Sequence, residues 1–161
     1  MQTYDEQKAA RVWQRVQGAK EEPKQSKTLE NIQELIMSEW IAAATYLRLA
    51  RQMQPKEAAI LHKLASEEQT HAACLRGMYT LITGQQPVTR SPLPEVDTPE
   101  LTLRRCYGRE MRSLKEYEAL REDPEYGHVF ARLAQQEQEH CRTLLELIGG
   151  LRKKQESGGR K

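Results

Sequence analysis

The segment LASEEQTH at residues 64–71 returns as LAQQEQEH at residues 133–140, an offset of 69. The match extends in both directions. Pro55 falls on Pro124, Leu64-Ala65 on Leu133-Ala134, Glu68-Gln69 on Glu137-Gln138, His71 on His140 and Leu75 on Leu144. Each copy follows a segment that holds a glutamate and, seven residues later, a tyrosine: Glu39 and Tyr46 in the first half, Glu110 and Tyr117 in the second. Repetition at fixed spacing means that one structural unit is used twice. Any fold for this chain must therefore accommodate two equivalent halves, each carrying Glu-x-x-His.

Helical periodicity says what the unit is. Leu29, Ile32, Ile36, Ala43 and Leu47 recur on one stripe, which predicts a first long helix from about residue 28 to 52. A second starts at Pro55, a favoured first helical position, and runs to about Thr83, with Gly84 as its stop. The third opens at Thr98-Pro99 and ends near Arg121, and the fourth opens at Asp123-Pro124 and ends at Gly149-Gly150. Tight turns inside each pair make the paired helices antiparallel neighbours. The Pro-rich connection GQQPVTRSPLPEVD between the pairs reaches about 50 Å at ~3.3 Å per residue, enough to cross a bundle end to end. The expected fold is all-α: a four-helix bundle with a long crossover loop between helices 2 and 3. A short amphipathic helix over residues 5–18 precedes it, with Ala9, Val12, Trp13 and Val16 on one stripe. The domain reading is 1–27 for that helix and its linker, 28–149 for the bundle and 150–161 for a disordered tail.

Composition excludes several function classes. Charged residues make up 30% of the chain, yet the formal net charge is +2 and the signs are interleaved, so nucleic-acid binding is not expected. No apolar run approaches the roughly 20 residues of a membrane span, and the N-terminal residues lack the apolar core of a secretory signal. Cys74, Cys106 and Cys141 are odd in number and widely spaced, without a C-x-x-C pair. They point to a reducing, cytoplasmic setting and away from a disulfide framework or a thiolate metal site.

The polar residues of the repeat are then the informative ones. Positions three apart on a helix lie about 60° apart, so Glu68 and His71 converge on one point, as do Glu137 and His140. From Glu39 to Pro55 the chain climbs 16 residues, and from Pro55 to Glu68 it returns 13. At ~1.5 Å per residue these are about 24 Å and 20 Å, within one turn of each other. The second half repeats this with 14 and 13 residues from Glu110 through Pro124 to Glu137. Four glutamates and two histidines thus meet at one level of the bundle. Bare carboxylates in a core repel one another and resist ionisation, whereas two divalent cations would balance the four negative charges. Mixed oxygen and imidazole donors suit iron or manganese.

Residues 28–149 resemble the ferritin-like superfamily, and specifically the di-iron domain of the rubrerythrins. SEWIAAATYLRLA is similar to that family's first Glu…Tyr segment and LASEEQTHA to its Glu-x-x-His segment. The resemblance implies two iron ions per chain. Glu68 and Glu137 would bridge them, Glu39 and Glu110 would each be a terminal ligand, and His71 and His140 would each bind one metal. Tyr46 and Tyr117 would stand beside the ligands. Two departures follow. The chain lacks the rubredoxin domain, which implies an external electron-donor protein. Ser113 stands where rubrerythrins tend to carry a further glutamate, so the set is closer to the symmetric site of bacterioferritin. The expected activity is a di-iron oxidoreductase that reduces hydrogen peroxide or O2, of peroxidase or ferroxidase type. The alternative is iron storage. A homodimer or larger homo-oligomer, without nucleic acid or membrane, is expected. Glu67, Glu139, His62 and His128 read as solvent-facing neighbours, and Cys74 and Cys141 as packing residues.

Overall fold

The computed structural model describes residues 23–89 and 93–158, with side chains over 30–89 and 93–153. Among these there are four α-helices and no strand: α1 Pro23–Ala50, α2 Pro55–Thr83, α3 Pro99–Ala119 and α4 Gly127–Gly158. The chain divides into two compact units, Met1–Ile32 and Gln33–Lys161. The described part of the first unit is the opening of α1. The expected N-terminal amphipathic helix lies outside the described residues.

The second unit is the four-helix bundle. Its interior is an apolar stripe from each helix at i, i+3, i+4 spacing, the pattern that turns one face of a helix inward. On α2 the buried run is Leu61, Leu64, Ala65, Glu68, His71, Ala72, Leu75 and Met78. Glu68 and His71 thus occupy positions where the periodicity calls for apolar side chains. On α1, Leu35, Ile36, Ala42, Ala43, Tyr46, Leu49 and Ala50 are buried. Leu47, expected to face inward, is instead 36% exposed, because Tyr46 and Leu49 take the core positions on that turn.

The connections explain where the helices stop. After α1 the chain tightens through three successive bonds to carbonyls three residues back, ending with Met53 N donating to Ala50 O at 3.2 Å. Pro55 then opens α2, since its missing N–H would be unpaired there in any case. Gly84 ends α2 with φ 70°, a left-handed conformation that glycine adopts without a Cβ clash, and its N–H reaches Thr80 O. Gln33 on α1 holds the crossover at Val88 by two hydrogen bonds. Its Nε2 donates to the Val88 carbonyl at 2.6 Å, and the Val88 N–H donates to its Oε1 at 3.1 Å.

Three boundaries differ from the sequence expectation. Helix α1 starts at Pro23 rather than near residue 28. Helix α4 starts at Gly127 rather than at Pro124, because Asp123 first organises a turn. Its Oδ1 accepts the N–H groups of Glu125 and Tyr126 at 3.0 and 2.7 Å. Gly127 is required at this point: a Cβ there would lie 2.2 Å from the Arg121 carbonyl oxygen. Finally, α4 continues through Gly149-Gly150 to Gly158, since neither glycine adopts the positive φ that would close the helix. Residues 150–158 are therefore helical, where a disordered tail was expected.

Candidate metal centre

All six residues singled out by the repeat are brought together in the bundle interior. Glu39, Glu68, His71, Glu110, Glu137 and His140 are each at most 3% exposed. Their arrangement has two lobes. His71 Nδ1 lies 2.9 Å from Glu137 Oε1, 3.3 Å from Glu68 Oε2 and 3.7 Å from Glu39 Oε2. His140 Nδ1 lies 2.9 Å from Glu68 Oε1, 3.6 Å from Glu137 Oε2 and 3.9 Å from Glu110 Oε2. Glu68 and Glu137 each offer one oxygen to one lobe and the other oxygen to the second, whereas Glu39 and Glu110 belong to one lobe each. The two imidazoles stack with centroids 5.4 Å apart.

The tyrosines complete the two-fold pattern across helices. Tyr117 Oη on α3 donates to Glu39 Oε1 on α1 at 2.6 Å, and Tyr46 Oη on α1 donates to Glu110 Oε1 on α3. As the position on α1 rises by seven, the partner on α3 falls by seven, so antiparallel packing alone puts both tyrosines opposite the other half's glutamate. Each tyrosine holds the outer carboxylate oxygen and leaves Oε2 facing the histidine of its lobe.

Burial makes this constellation electrostatically frustrated. Desolvation, reinforced by Glu39 and Glu110, raises Glu68 well above the ordinary carboxylate range. Desolvation and the adjacent Glu110 push Glu137 up to about 8. Burial would lower His71, but Glu137, Glu39 and Glu68 outweigh it and raise the imidazole to about 12. His140 is likewise raised against its burial by Glu110, Glu137 and Glu68. Glu110 moves the other way: burial would raise it, yet Glu137, His140 and Tyr46 hold it down at about 2. Both tyrosines are raised, first by burial and then by the carboxylates they touch.

Donor chemistry matches a divalent cation pair better than a hydrogen-bonded core. Both oxygens of Glu68 and of Glu137 and both nitrogens of His71 and of His140 are buried without a hydrogen-bond partner. Buried polar atoms of this kind are rare in native proteins and ask for an explanation such as an ion. One ligand atom from each of Glu68, His71, Glu137 and His140 can be chosen so that all lie within 4.8 Å of one another, close enough to share an ion. Thiolates do not contribute: burial raises Cys106 to about 12 and Cys141 to about 11, and both stay protonated.

His62 and His128 are exposed, and Glu139 is exposed and pairs with Arg142 at 2.5 Å. Glu67 departs from its expectation. It is half-buried, and its Oε2 lies 3.3 Å from His140 Nε2. A helical wheel drawn for α2 alone places Glu67 off the inward stripe. Its reach to a histidine of another helix became visible only once α2 and α4 were packed together.

Four helices joined in pairs, with Glu and Glu-x-x-His facing one another across a buried interior, define a ferritin-like bundle. The family model described as Rubrerythrin matches residues 30–148, and the chain belongs to that family. Among solved structures, the fold is similar to Rhodobacter capsulatus bacterioferritin, a structure described with a metal-free dinuclear site and haem iron. The TM-score is 0.66 at 24% identity over 77% of this chain and 84% of that one. A search of curated proteins finds no match.

Proposed function

We propose that this chain is a di-iron carboxylate oxidoreductase that reduces hydrogen peroxide or O2, of peroxidase or ferroxidase type. The observation that carries the reading is a set of six buried atoms without a hydrogen-bond partner, both carboxylate oxygens of Glu68 and of Glu137 and Nδ1 of His71 and of His140, arranged in two lobes that share both carboxylates. In this assignment Glu39 and His71 would hold one metal and Glu110 and His140 the other, with Glu68 and Glu137 available to both. Two iron ions held this way would supply reversible one-electron steps and Lewis acidity. Manganese fits the same donors.

The chain's own residues have three tasks. The four carboxylates balance two divalent ions, so a dry core becomes neutral on loading. Tyr46 and Tyr117 fix the outer oxygens of Glu110 and Glu39 and thereby aim the inner ones. Leu64, Ala65, Leu75, Leu133 and Leu144 are buried on the same two helices and keep bulk water away from the ligands. Electrons would come from a protein donor. Three free cysteines fit a reducing cytoplasm. Among the described residues no helix is long and apolar enough to cross a membrane.

A second reading has support of its own. The likeness to bacterioferritin and the buried Ser113, three residues after Glu110, favour iron storage as much as peroxide reduction. In that case iron is also cargo, and assembly of many chains supplies the storage volume. One experiment separates the two. After anaerobic loading with ferrous iron, peroxide and a reductant are supplied, and turnover, iron retained per chain and particle size are measured. Repeated peroxide consumption by a dimer holding two irons per chain supports the oxidoreductase. A large assembly that retains many irons per chain overturns it in favour of storage.

A further inference from the structure

The two-fold repeat breaks at several positions around the site, and one break changes the charge beside an imidazole. The offset that places Glu68 on Glu137 places Glu67 on Gln136. The break falls next to the outer face of an imidazole. Both histidines turn Nδ1 inward to the carboxylates, which leaves Nε2 pointing away from the lobe. Glu67 Oε2 stands 3.3 Å from Nε2 of His140. Its other oxygen, Oε1, lies 3.5 Å from Lys63 Nζ, an exposed partner that leaves Oε2 for the histidine. Nε2 of both rings is buried without a hydrogen bond, and among the described residues only that of His140 has such a carboxylate within reach. Gln136 and Glu67 both line a cleft of about 470 Å³ together with His140, Glu139 and Thr143.

This difference has a definite chemical consequence. An imidazole that binds a cation through Nδ1 carries its proton on Nε2. A carboxylate that accepts that proton fixes the tautomer, orients the ring and makes Nδ1 a stronger donor. A neutral amide accepts more weakly and adds no negative charge. We propose that Glu67 is a positioning residue acting through His140, and that it makes the two metal positions unequal. The position held by Glu110 and His140 binds more tightly and fills first. This rests on the dinuclear reading above and adds an order of filling to it.

Anaerobic titration with Co(II), followed by its visible absorption and by calorimetry, tests the inference without any turnover. Loss of such an outer partner weakens metal affinity about 10- to 100-fold. With one strong and one weak position, Glu67→Gln should therefore weaken the first binding step about 5- to 50-fold and change the second no more than about 2-fold. The mirror variant Gln136→Glu should instead tighten the second step about 5- to 50-fold. A general structural role for Glu67 would weaken both steps alike and would give Gln136→Glu no gain. Two cobalt ions bound per chain with a first step indifferent to Glu67→Gln would overturn this inference alone. Fewer than two cobalt ions per wild-type chain would overturn the dinuclear reading, and this inference with it.

Discussion

Replacing Glu137 with glutamine should stabilise the metal-free protein. The reason lies in its position. Glu137 is fully buried, and desolvation together with Glu110 raises it to about 8, against 4.5 for a free glutamate. At pH 7 the unfolded chain has released this proton and the folded chain still holds it. The sign follows: a carboxyl raised on folding leaves stability untouched below about pH 4.5 and removes it as pH climbs toward 8. Over the roughly 2.5 pH units from 4.5 to 7, at 1.36 kcal/mol per unit, the cost reaches about 3 kcal/mol. Glutamine removes the titration but keeps a carbonyl acceptor beside His71 Nδ1, now 2.9 Å from Glu137 Oε1. The lost charge at His71 subtracts from the gain, so about 3 kcal/mol is its upper end, or roughly 6–12 °C in Tm for a chain of this size. With metal the order should invert. Wild-type protein gains about 2.7 kcal/mol at a free metal concentration of 100 Kd, and the variant, missing a shared oxygen, gains far less. Thermal melts followed by circular dichroism, with chelator and with metal at pH 4.5 and pH 7, read all four states. If the chelated variant melts at or below wild type at pH 7, the carboxylates are not in conflict in the metal-free fold and the electrostatic reasoning fails.

Four further outcomes follow. Metal-free wild-type protein should lose stability as pH rises from 6 to 9. His71 contributes stability that is complete below 6.5 and lost on the way to about 12, and Glu137 acts in the same direction up to about 8. On the acid side Glu110 contributes stability above 4.5 that disappears as pH falls through about 2, so chelated melts across this range should show a maximum in mildly acidic buffer. Loading two divalent ions at pH 7 should release about three protons, from His71, His140 and Glu137, to which the raised carboxyl of Glu68 adds, readable with an indicator dye in weak buffer. Tyr117→Phe should cost about 1–3 kcal/mol by leaving Glu39 Oε1 buried and unpaired, seen in chelated denaturant melts. Gly127→Ala should cost about 1–3 kcal/mol without altering metal stoichiometry, because its Cβ meets the Arg121 carbonyl far from the ligands.

The bundle and its six central residues were legible because they repeat. A single Glu-x-x-His on a charged helix carries little information, but two copies at one offset, each preceded by Glu and Tyr seven apart, place all six side chains at one level of four helices. What escaped has identifiable causes. The pair Gly149-Gly150 looked like a helix stop, yet glycine ends a helix only where φ turns positive, and among the described residues only Gly84 does so. Asp123-Pro124 resembled Thr98-Pro99, but Asp123 spends its side chain on a turn, which delays α4 to Gly127. Leu47 was counted inward by periodicity, while the larger Tyr46 beside it took the core position and its hydroxyl took Glu110. The angle of Glu67 on α2 turns it off the inward stripe, and that angle says nothing about how close a side chain comes to another helix.

Metal content per chain tests the central claim most directly. Chelator-stripped wild-type protein and the Glu68→Ala, Glu137→Ala double variant are dialysed anaerobically against ferrous iron and analysed for bound metal. Removing both shared carboxylates leaves each lobe with one glutamate and one histidine, too few to retain an ion in a dry core. Two irons are expected per wild-type chain and almost none on the variant. Equal iron on the two proteins would contradict it.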